Sequence, residues 1–240
     1  MLPISETSDD IDAAQRAIDF MLGWFLDPLT RGEYPKSMRL LVGRRLPRFS
    51  KRQSEMVKGS YDFIGLNYYT TRYAKNVPCC SDIPASVLTD SYANLSYVRN
   101  GIPLGPVAGS SWLYVYPRGI LDLLLYIRQR YNNPTIYITE NGISEVDNKA
   151  LSLEEALVDN MRRDYHHDHL SFALRAINEG VDLRGYFAWS LLDNFEWEAG
   201  YTIRFGLYYV DYKTLARYPK LSSLWFKEFL APPLKKHSNV

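Results

Sequence analysis

Residues 135–142 read Thr-Ile-Tyr-Ile-Thr-Glu-Asn-Gly, a β-forming run that ends in a carboxylate and a turn. The five residues before Glu140 favour a short buried β-strand, which the Asn-Asn-Pro at 132–134 bounds upstream. Asn141 and Gly142 are predicted to stop the strand as a turn. A carboxylate is costly to bury, and parallel α/β folds carry their chemistry at the carboxyl ends of their strands. Glu140 is therefore a candidate functional residue; the simpler alternative is a solvated or helix-capping glutamate.

The composition is typical of a folded chain with a sizeable core. The 240 residues are 46% hydrophobic, and the net charge of +1 argues against a nucleic-acid or membrane-surface partner. The nineteen tyrosines and five tryptophans fit either a site where rings stack on sugars or an ordinary large core. No apolar run reaches transmembrane length, and the acidic residues 1–12 contain no apolar stretch, so we predict no signal peptide there.

The predicted elements alternate between helices and strands, which implies a parallel sheet with helical crossovers. No strand is predicted before the first helix, which Pro28 should end, and residues 73–109 are predicted to form a long surface loop. No strand is followed by a glycine-rich phosphate loop, which disfavours a nucleotide site. The predicted strands are fewer than half of the eight in a complete (β/α)8 barrel. Helices are predicted at 9–28, 51–59, 117–131, 153–179 and 220–230, strands at 62–67, 135–140 and 183–189, and part of a hairpin at 206–211.

Polar and aromatic side chains follow the three predicted strands. Asn67 and Tyr69 follow the first strand and Glu140 ends the second, while Trp189, Asn194, Glu196 and Trp197 follow the third. A carboxylate beside indole rings suits a sugar, because the acid accepts two hydroxyls and a ring stacks on the pyranose face. The alternative is that these tryptophans belong to an ordinary core.

Three stretches carry a resemblance to a known family: DFIGLNYYT at 62–70, ITENG at 138–142 and RFGLYYVD at 204–211. With them, residues 9–230 resemble the C-terminal half of a plant β-glucosidase of glycoside hydrolase family 1. The resemblance implies a partial (β/α)8 TIM barrel, about strands 6–8 with their helices, as a single incomplete domain over 1–240. It also implies a retaining glycosidase that cleaves terminal β-D-glucosyl residues from β-glucosides and uses no cofactor.

The resemblance assigns roles to residues at the first two strand ends. Glu140 matches the nucleophile that forms the covalent glycosyl-enzyme. Tyr69 and Asn67 match residues that hydrogen-bond to this carboxylate and orient it.

The resemblance also implies a sugar site after the third strand. Glu196 would hold two glucose hydroxyls, Trp197 an adjacent one, and Trp189 would stack under the sugar ring. Trp112 matches a position that lines the aglycone site, and Phe205 matches another wall position. A carboxylate at Glu196 would repel a phosphate, so an unphosphorylated sugar is favoured.

The acid/base residue of the family is absent from this chain. A retaining glycosidase needs a second carboxyl group, which the resemblance places in an Asn-Glu-Pro motif that the sequence lacks. Met1 falls, by resemblance, near the end of the fifth strand, so strands 62–67 and 183–189 are expected to have open apolar edges. We therefore expect the isolated chain to be poorly stable and to have little activity on natural glucosides.

Several alternatives stay open at this point. The chain fits a truncated β-glucosidase, a non-catalytic paralogue that binds sugar or a partner, and a family member that transfers glucose or cleaves thioglucosides. The aglycone and the oligomeric state are not readable from the sequence. Nor is the compartment, since family members are often secreted, vacuolar or plastid.

The histidines and cysteines are candidate metal ligands by residue type alone. His166, His167 and His169 fall on one predicted helix, and two of them are three residues apart, a spacing that can bind metal. No third ligand is apparent, and the resembled family is metal-free, so we predict no metal site. Cys79 and Cys80 are adjacent and give neither a disulfide framework nor a metal spacing.

Overall fold

The structure, a computed structural model, describes residues 1–78 and 84–232. Cys79 and Cys80, with the predictions made for them, lie outside the described residues. No helix in the two described ranges is long and apolar enough to cross a membrane. The helices are α1 (Ser8–Ile18), α2 (Trp24–Arg31), α3 (Lys36–Val42), α4 (Lys51–Val57), α5 (Arg118–Arg130), α6 (Leu153–Ala156), α7 (Asn160–Asn178) and α8 (Leu221–Phe229).

The strands form one parallel sheet and several small antiparallel or mixed pairings. The strands are β1 (Leu2–Pro3), β2 (Ile64–Asn67), β3 (Tyr73–Asn76), β4 (Ala93–Ser96), β5 (Val98–Arg99), β6 (Ile102–Pro103), β7 (Ile136–Asn141), β8 (Glu145–Val146), β9 (Leu183–Ala188), β10 (Ile203–Arg204), β11 (Tyr208–Val210) and β12 (Arg217–Pro219). The parallel sheet has the order β2–β7–β9, so the three strands predicted from the sequence pair as expected. The predicted hairpin is also confirmed, since β11 pairs with β12.

The core lies between this sheet and the two crossover helices, α5 and α7. Side chains alternate along a strand, so Ile64 and Leu66 of β2 and Ile136 and Ile138 of β7 point to the same side and are buried there. Each such side chain stabilises the fold by roughly 1.5–3 kcal/mol. This packing fixes which residues point toward the helices and brings the carboxyl ends of the strands to one edge.

Two predictions made for the amino-terminal half of the chain are wrong. A strand does precede the first helix, because β1 pairs in parallel with β3. β3 also pairs with β4, so the segment 73–109 is not a loop without secondary structure. The strands in it are two to four residues long, too short for an alternating pattern to be read from the sequence.

Pro28 does not end the first helical segment, contrary to the prediction. A π-helical turn, Asp19–Gly23, separates α1 from α2, and Pro28 lies inside α2. The π turn has already interrupted the regular α-helical hydrogen bonds, so a missing N–H one turn later is tolerated. Gly32 ends the helix instead: its φ is 79°, and its N–H donates to the carbonyl of Pro28 at 2.9 Å.

The long helix predicted at 153–179 is two helices. Ser152 and Glu155 form a capping box that starts α6, and α7 begins only at Asn160. Between them lies Asp159, whose buried carboxylate accepts hydrogen bonds from the backbone N–H and the hydroxyl of Ser222. The break therefore depends on a contact with a residue 63 positions away, which local helix signals do not report.

His169 gives the fold a predictable pH dependence. It is fully buried on α7, its Nδ1–H donates to the carbonyl of Tyr165, and burial lowers its pKa from 6.5 to about 4. Between these two values the unfolded chain binds a proton that the folded chain does not, so stability rises with pH there. At about 1.4 kcal/mol per pKa unit, acidification from pH 7 to below 4 should cost about 3 kcal/mol through this group alone.

We expect His169→Asn to flatten this pH dependence, because its amide N–H₂ replaces the Nδ1 donor without titrating. Urea unfolding between pH 4 and 7.5 measures it, with exposed His167→Asn as the matched control. Equal pH slopes in wild type and His169→Asn would contradict the assignment.

Candidate active site

The carboxyl ends of β2, β7 and β9 open into a cavity of about 570 Å³. The side chains to which the resemblance assigned a role come from strand ends and from distant loops, yet all of them line this cavity, whereas Asn194 does not and instead donates to the Ser190 hydroxyl. The residues with an assigned role are Asn67, Tyr69, Trp112, Glu140, Trp189, Glu196, Trp197 and Phe205.

Glu140 is held by Tyr69 across neighbouring strands. β2 and β7 place Asn67 opposite Glu140, and the backbone N–H of Tyr68 donates to the carbonyl of Glu140 at 2.9 Å. This pairing brings the Tyr69 hydroxyl to 2.7 Å from Oε2 of Glu140, to which it donates. Burial and the hydrogen bond to the carboxylate raise the pKa of Tyr69, so the phenol stays protonated as a donor.

Asn67 lies beside Glu140 but bonds to a different residue. Its side-chain oxygen accepts a hydrogen bond from the Thr139 hydroxyl at 2.7 Å. Its side chain is exposed to the cavity. In this structure the orienting contact predicted for both residues is therefore made by Tyr69, and Asn67 is left facing the space that a ligand would fill.

Asn141 supports the site from behind Glu140, although the sequence reasoning assigned it to a turn. It is instead the last residue of β7, fully buried, and its amide N–H₂ donates to the carbonyl of Tyr68 and to the hydroxyl of Tyr165. Its carbonyl oxygen accepts from the hydroxyl of Tyr186 on β9. One amide thus joins the ends of β2 and β9 to helix α7.

Gly142 permits the close approach of β7 and β9 that follows. A Cβ atom at this position would lie 1.8 Å from the carbonyl oxygen of Trp189, so no other residue fits without moving the backbone. The N–H of Trp189 donates to the carbonyl of Asn141 at 2.8 Å. The glycine that the sequence presents as a strand breaker therefore places Trp189 next to the end of β7.

The segment after β9 carries a buried carboxylate. Glu196 is only 6% exposed, and Nε1–H of Trp189 donates to its Oε1 at 3.1 Å. Burial raises the pKa of Glu196, hydrogen bonds from Trp189 and Asn194 oppose the rise, and the negative charge of Glu140 adds to it. Such a carboxylate can accept two ligand hydroxyls where water is largely excluded.

Trp197 forms the outer rim of the cavity. Its side chain is 84% exposed although it follows the buried Glu196 directly. An indole in this position presents a free face and an N–H donor to a ligand, at little cost in core packing.

A buried ion network beneath this segment was not found from the sequence. The Asp193 carboxylate accepts from Arg204 at 2.7 Å, from Lys220 at 2.9 Å and from the backbone N–H of Gly206 at 2.9 Å. The side chains of Asp193, Arg204 and Lys220 are almost inaccessible to solvent, and burial lowers the pKa of Lys220 to about 8. The network fixes the backbone next to Glu196. The sequence did not predict this network, because its charged residues are spread over positions 193–220 and form no local pattern.

Two aromatic residues form the wall beside Tyr69. The rings of Trp112 and Phe205 contact the Tyr69 ring edge-on, with centroids 5.9 Å and 6.0 Å away. Phe205 is buried and acts as a support, while Trp112 is 39% exposed to the opening. The hydroxyl of Thr70 donates to the carbonyl of Tyr114, which holds the Trp112 loop against the end of β2.

Two of the three histidines of α7, His166 and His169, are buried, and each makes a hydrogen bond through Nδ1. His166 Nδ1 contacts the hydroxyl of Tyr186 at 2.8 Å, His169 is bonded to a backbone carbonyl, and His167 is exposed. Within the described part of the chain, no group of three or more His, Cys, Asp or Glu side chains has the arrangement of a metal site.

Sequence comparison places the chain in a family. The model of the family described as glycosyl hydrolase family 1 matches residues 1–233. Beta-glucosidase 12 of Oryza sativa subsp. indica is 60% identical over 230 residues, which cover 95% of this chain and 45% of that protein. An isoflavonoid 7-O-beta-apiosyl-glucoside beta-glycosidase of Dalbergia nigrescens is 54% identical over 96% of this chain and 42% of its own length.

Solved structures agree with the sequence matches. A rice β-glucosidase superposes with a TM-score of 0.93 at 48% identity, over 96% of this chain and 49% of that one. A family 1 β-glucosidase of the fungus Humicola insolens, solved with glucose, superposes with a TM-score of 0.89 at 41% identity, over 95% and 48%. These neighbours define the fold class as that of the (β/α)8-barrel glycoside hydrolases.

The chain belongs to glycosyl hydrolase family 1, which confirms the resemblance seen in the sequence. It spans about half the length of the relatives it matches.

The hydrogen bond from Trp189 to Glu196 should affect the pKa of Glu196 in a measurable way. Burial raises the pKa of Glu196, and the hydrogen bond from the Trp189 indole limits that rise. Trp189→Phe removes this donor, so the pKa of Glu196 should rise further above its usual range. Carbon-13 NMR titration of the glutamate carboxyls measures it, with Glu196→Gln to assign the signal. Trp112→Phe, a like change in the same cavity, should leave this pKa unchanged; an unchanged or lower pKa in Trp189→Phe would contradict the geometry.

Proposed function

We propose that this chain carries the nucleophile and the glucose-binding residues of a retaining β-glucosidase. The observation that carries the proposal is the Tyr69–Glu140 hydrogen bond in a cavity that also holds the buried Glu196. A carboxylate oriented by a fixed donor at a strand end is what nucleophilic attack on an anomeric carbon requires. By this account the chain corresponds to about strands 6–8 of the barrel with their helices.

The relatives support this assignment. The Oryza sativa and Dalbergia nigrescens relatives are named as a β-glucosidase and a β-glycosidase, and a mutant of a rice β-glucosidase has been solved in a covalent complex with glucose. A covalent sugar requires a nucleophile on the protein. Glu140 ends the strand motif on which the family resemblance rests, so we assign the nucleophile to it.

The proposed chemistry begins at Glu140. Its free carboxylate oxygen forms a bond to C1 of a terminal β-D-glucosyl residue while the bond from C1 to the leaving oxygen breaks. The ester that results is hydrolysed by water, which returns the carboxylate and releases glucose. The leaving oxygen needs a proton from a second carboxyl group, and this sequence contains no Asn-Glu-Pro motif to supply it. This chain alone should therefore react only with glucosides whose leaving group departs without protonation.

The other cavity residues recognise the sugar. Glu196 accepts two glucose hydroxyls, Trp197 binds the next one from the rim, and Trp189 lies under the ring. Trp112 and Phe205 shape the space for the aglycone. A 6-phosphorylated sugar is disfavoured, because a carboxylate at Glu196 would repel the phosphate.

A non-catalytic chain that binds sugar or a partner is the second candidate. It is favoured by the missing acid/base motif and by the uncovered edges of the parallel sheet, β2 and β9, which have no further partner strand among the described residues. A transglucosidase would share every step up to the glucosyl ester and differ only in the acceptor.

Covalent labelling separates a chain with a working nucleophile from a non-catalytic chain. We expect a fluorinated glucoside with a dinitrophenolate leaving group to add one sugar mass to the chain, mapped by peptide mass spectrometry to Glu140. Glu140→Gln should abolish labelling, whereas Glu198→Gln, which alters an exposed glutamate lining the same cavity, should not. Tyr69→Phe removes a hydrogen bond to a charged group and should slow labelling roughly ten- to hundred-fold.

Labelling elsewhere, or equal labelling of Glu140→Gln, would reject Glu140 as nucleophile. Saturable glucose binding with no labelling would favour the non-catalytic candidate.

A further inference from the structure

Positive charge is concentrated in one segment of the chain, residues 36–58. The segment contains eight Lys or Arg residues and one Glu, a net charge of +7, whereas the whole chain has a net charge of +1. The other 217 residues therefore carry a net charge of −6. The whole-chain value does not report this local excess, and we call residues 36–58 the basic surface.

The cations of the basic surface are all exposed, and most of them have no ion-pair partner. Arg39 pairs with Glu33 at 2.9 Å, and Arg45 pairs with Asp90 at 2.8 Å. Like charges held close together repel one another, so a cluster of this kind favours the binding of an anion. The cations of the basic surface that form no ion pair within the described part of the chain are Lys36, Arg44, Arg48, Lys51, Arg52 and Lys58.

The segment is folded onto the rest of the chain, which holds its cations together as one surface. The rings of Tyr34 and Phe49 stack with their centroids 4.8 Å apart, and this contact brings the start of α3 close to the start of α4. The Arg45 guanidinium donates two hydrogen bonds to the Asp90 carboxylate, which fixes the turn after α3. The cations are therefore preorganised, and an anionic ligand need not order the backbone that carries them.

The basic surface lies away from the candidate active site. The N–H of Gly59 donates to the carbonyl of Leu29 at 2.6 Å, so α4 ends against α2 before the chain enters β2 at Ile64. Glu140 lies at the other end of the sheet, near the carboxyl end of β7, which runs parallel to β2. No residue of the basic surface is among the described residues that line the cavity. An anion bound here would therefore leave the cavity open.

The helices of the basic surface lack the apolar face that a membrane surface requires. A helix that lies in a membrane interface needs a free apolar face beside its cations. Met38 of α3 is only 2% exposed, so this helix already uses its apolar face for packing within the protein. The large exposed apolar side chains of the segment are Leu40 on α3 and Met56 on α4. Single exposed apolar side chains are ordinary on a protein surface and need no lipid.

The chemistry of the cations favours carboxylates. Five of the eight are arginines, whose planar guanidinium group binds a carboxylate through two parallel hydrogen bonds. Phosphate is bound in the same way, but double-stranded DNA carries one charge per about 1.7 Å, and the net charge of −6 on the rest of the chain opposes so dense a polyanion. A polymer with one carboxylate per sugar residue has its charges further apart. We propose that the basic surface binds a polysaccharide whose sugars carry carboxylates.

The test uses the full 240-residue chain and polygalacturonate, a polymer with one carboxylate per sugar residue. We expect the chain to be retained on immobilised polygalacturonate at low salt and to be released as the salt concentration rises, because salt screens the charges and competes for the polymer. The methyl-esterified polymer is the matched control, since it has the same backbone without the charge, and it should not retain the chain.

Substitutions locate the binding surface. The triple variant Arg44→Gln, Arg48→Gln and Arg52→Gln should weaken binding to polygalacturonate roughly ten-fold or more, because three exposed ion pairs with the polymer are lost. These side chains are exposed and unpaired among the described residues, so the fold should be retained, which circular dichroism verifies. A second triple variant removes three exposed cations outside the basic surface and should leave binding unchanged: Lys213→Gln, Arg217→Gln and Lys227→Gln.

Four results would overturn the proposal: no retention on polygalacturonate at low salt, equal retention on the esterified polymer, equal weakening by the two triple variants, or tighter binding at the same salt to a DNA duplex or to phosphatidylserine vesicles. The last would assign the basic surface to a nucleic acid or to a membrane. None of these results bears on Glu140, so the basic surface and the proposed function are tested separately.

Discussion

The buried amide of Asn141 is the constraint on which the site depends. Its two N–H groups and its carbonyl oxygen are all used, and their partners are the Tyr68 carbonyl beside β2, the Tyr165 hydroxyl on α7 and the Tyr186 hydroxyl on β9. An unpaired buried amide costs free energy, so each of these elements is held to the position that satisfies it. Glu140 precedes this residue directly. The nucleophile candidate is therefore attached to a residue whose position is fixed by hydrogen bonds to β2, α7 and β9.

A second constraint acts on the segment that leads to Glu196. Asp193 accepts hydrogen bonds from Arg204, Lys220 and the backbone N–H groups of Gly206 and Val210, donors that lie 11 to 27 residues further along the chain. Breaking one partner of a buried ion network leaves a charge without compensation, which is strongly destabilising. The segment that ends in Glu196 is thus preorganised, and ligand binding need not order it.

Much of the fold was readable because it depends on local patterns. The strand before Glu140 is an apolar run with clear boundaries, and the helices starting near 51 and 118 have caps or prolines that mark them. The candidate site was found by resemblance, and the structure brings all of its members into one cavity. The features that the sequence did not predict are those that depend on contacts with residues distant in the chain. Asn141 was expected in a turn because an Asn-Gly pair usually forms one. Its position is instead set by hydrogen bonds to Tyr165 and Tyr186, which are 24 and 45 residues away.

The same distinction explains the network at Asp193 and the break between α6 and α7. Each is a polar contact between residues far apart in the chain, and neither leaves a periodic signal. Short strands such as β1 and β3 were missed for another reason, because two to four residues are too few to show alternation.

The central claim is that Glu140, Tyr69, Trp189 and Glu196 form a preorganised glucose site. A crystal structure of the chain with a glucose-shaped iminosugar tests it most directly. The account predicts the sugar ring beside Trp189, its amine within hydrogen-bond distance of Glu140, its hydroxyls on Glu196, and the Tyr69–Glu140 contact unchanged. An iminosugar bound elsewhere, or a site in which Tyr69 turns from Glu140 and Glu196 turns to solvent, would contradict it.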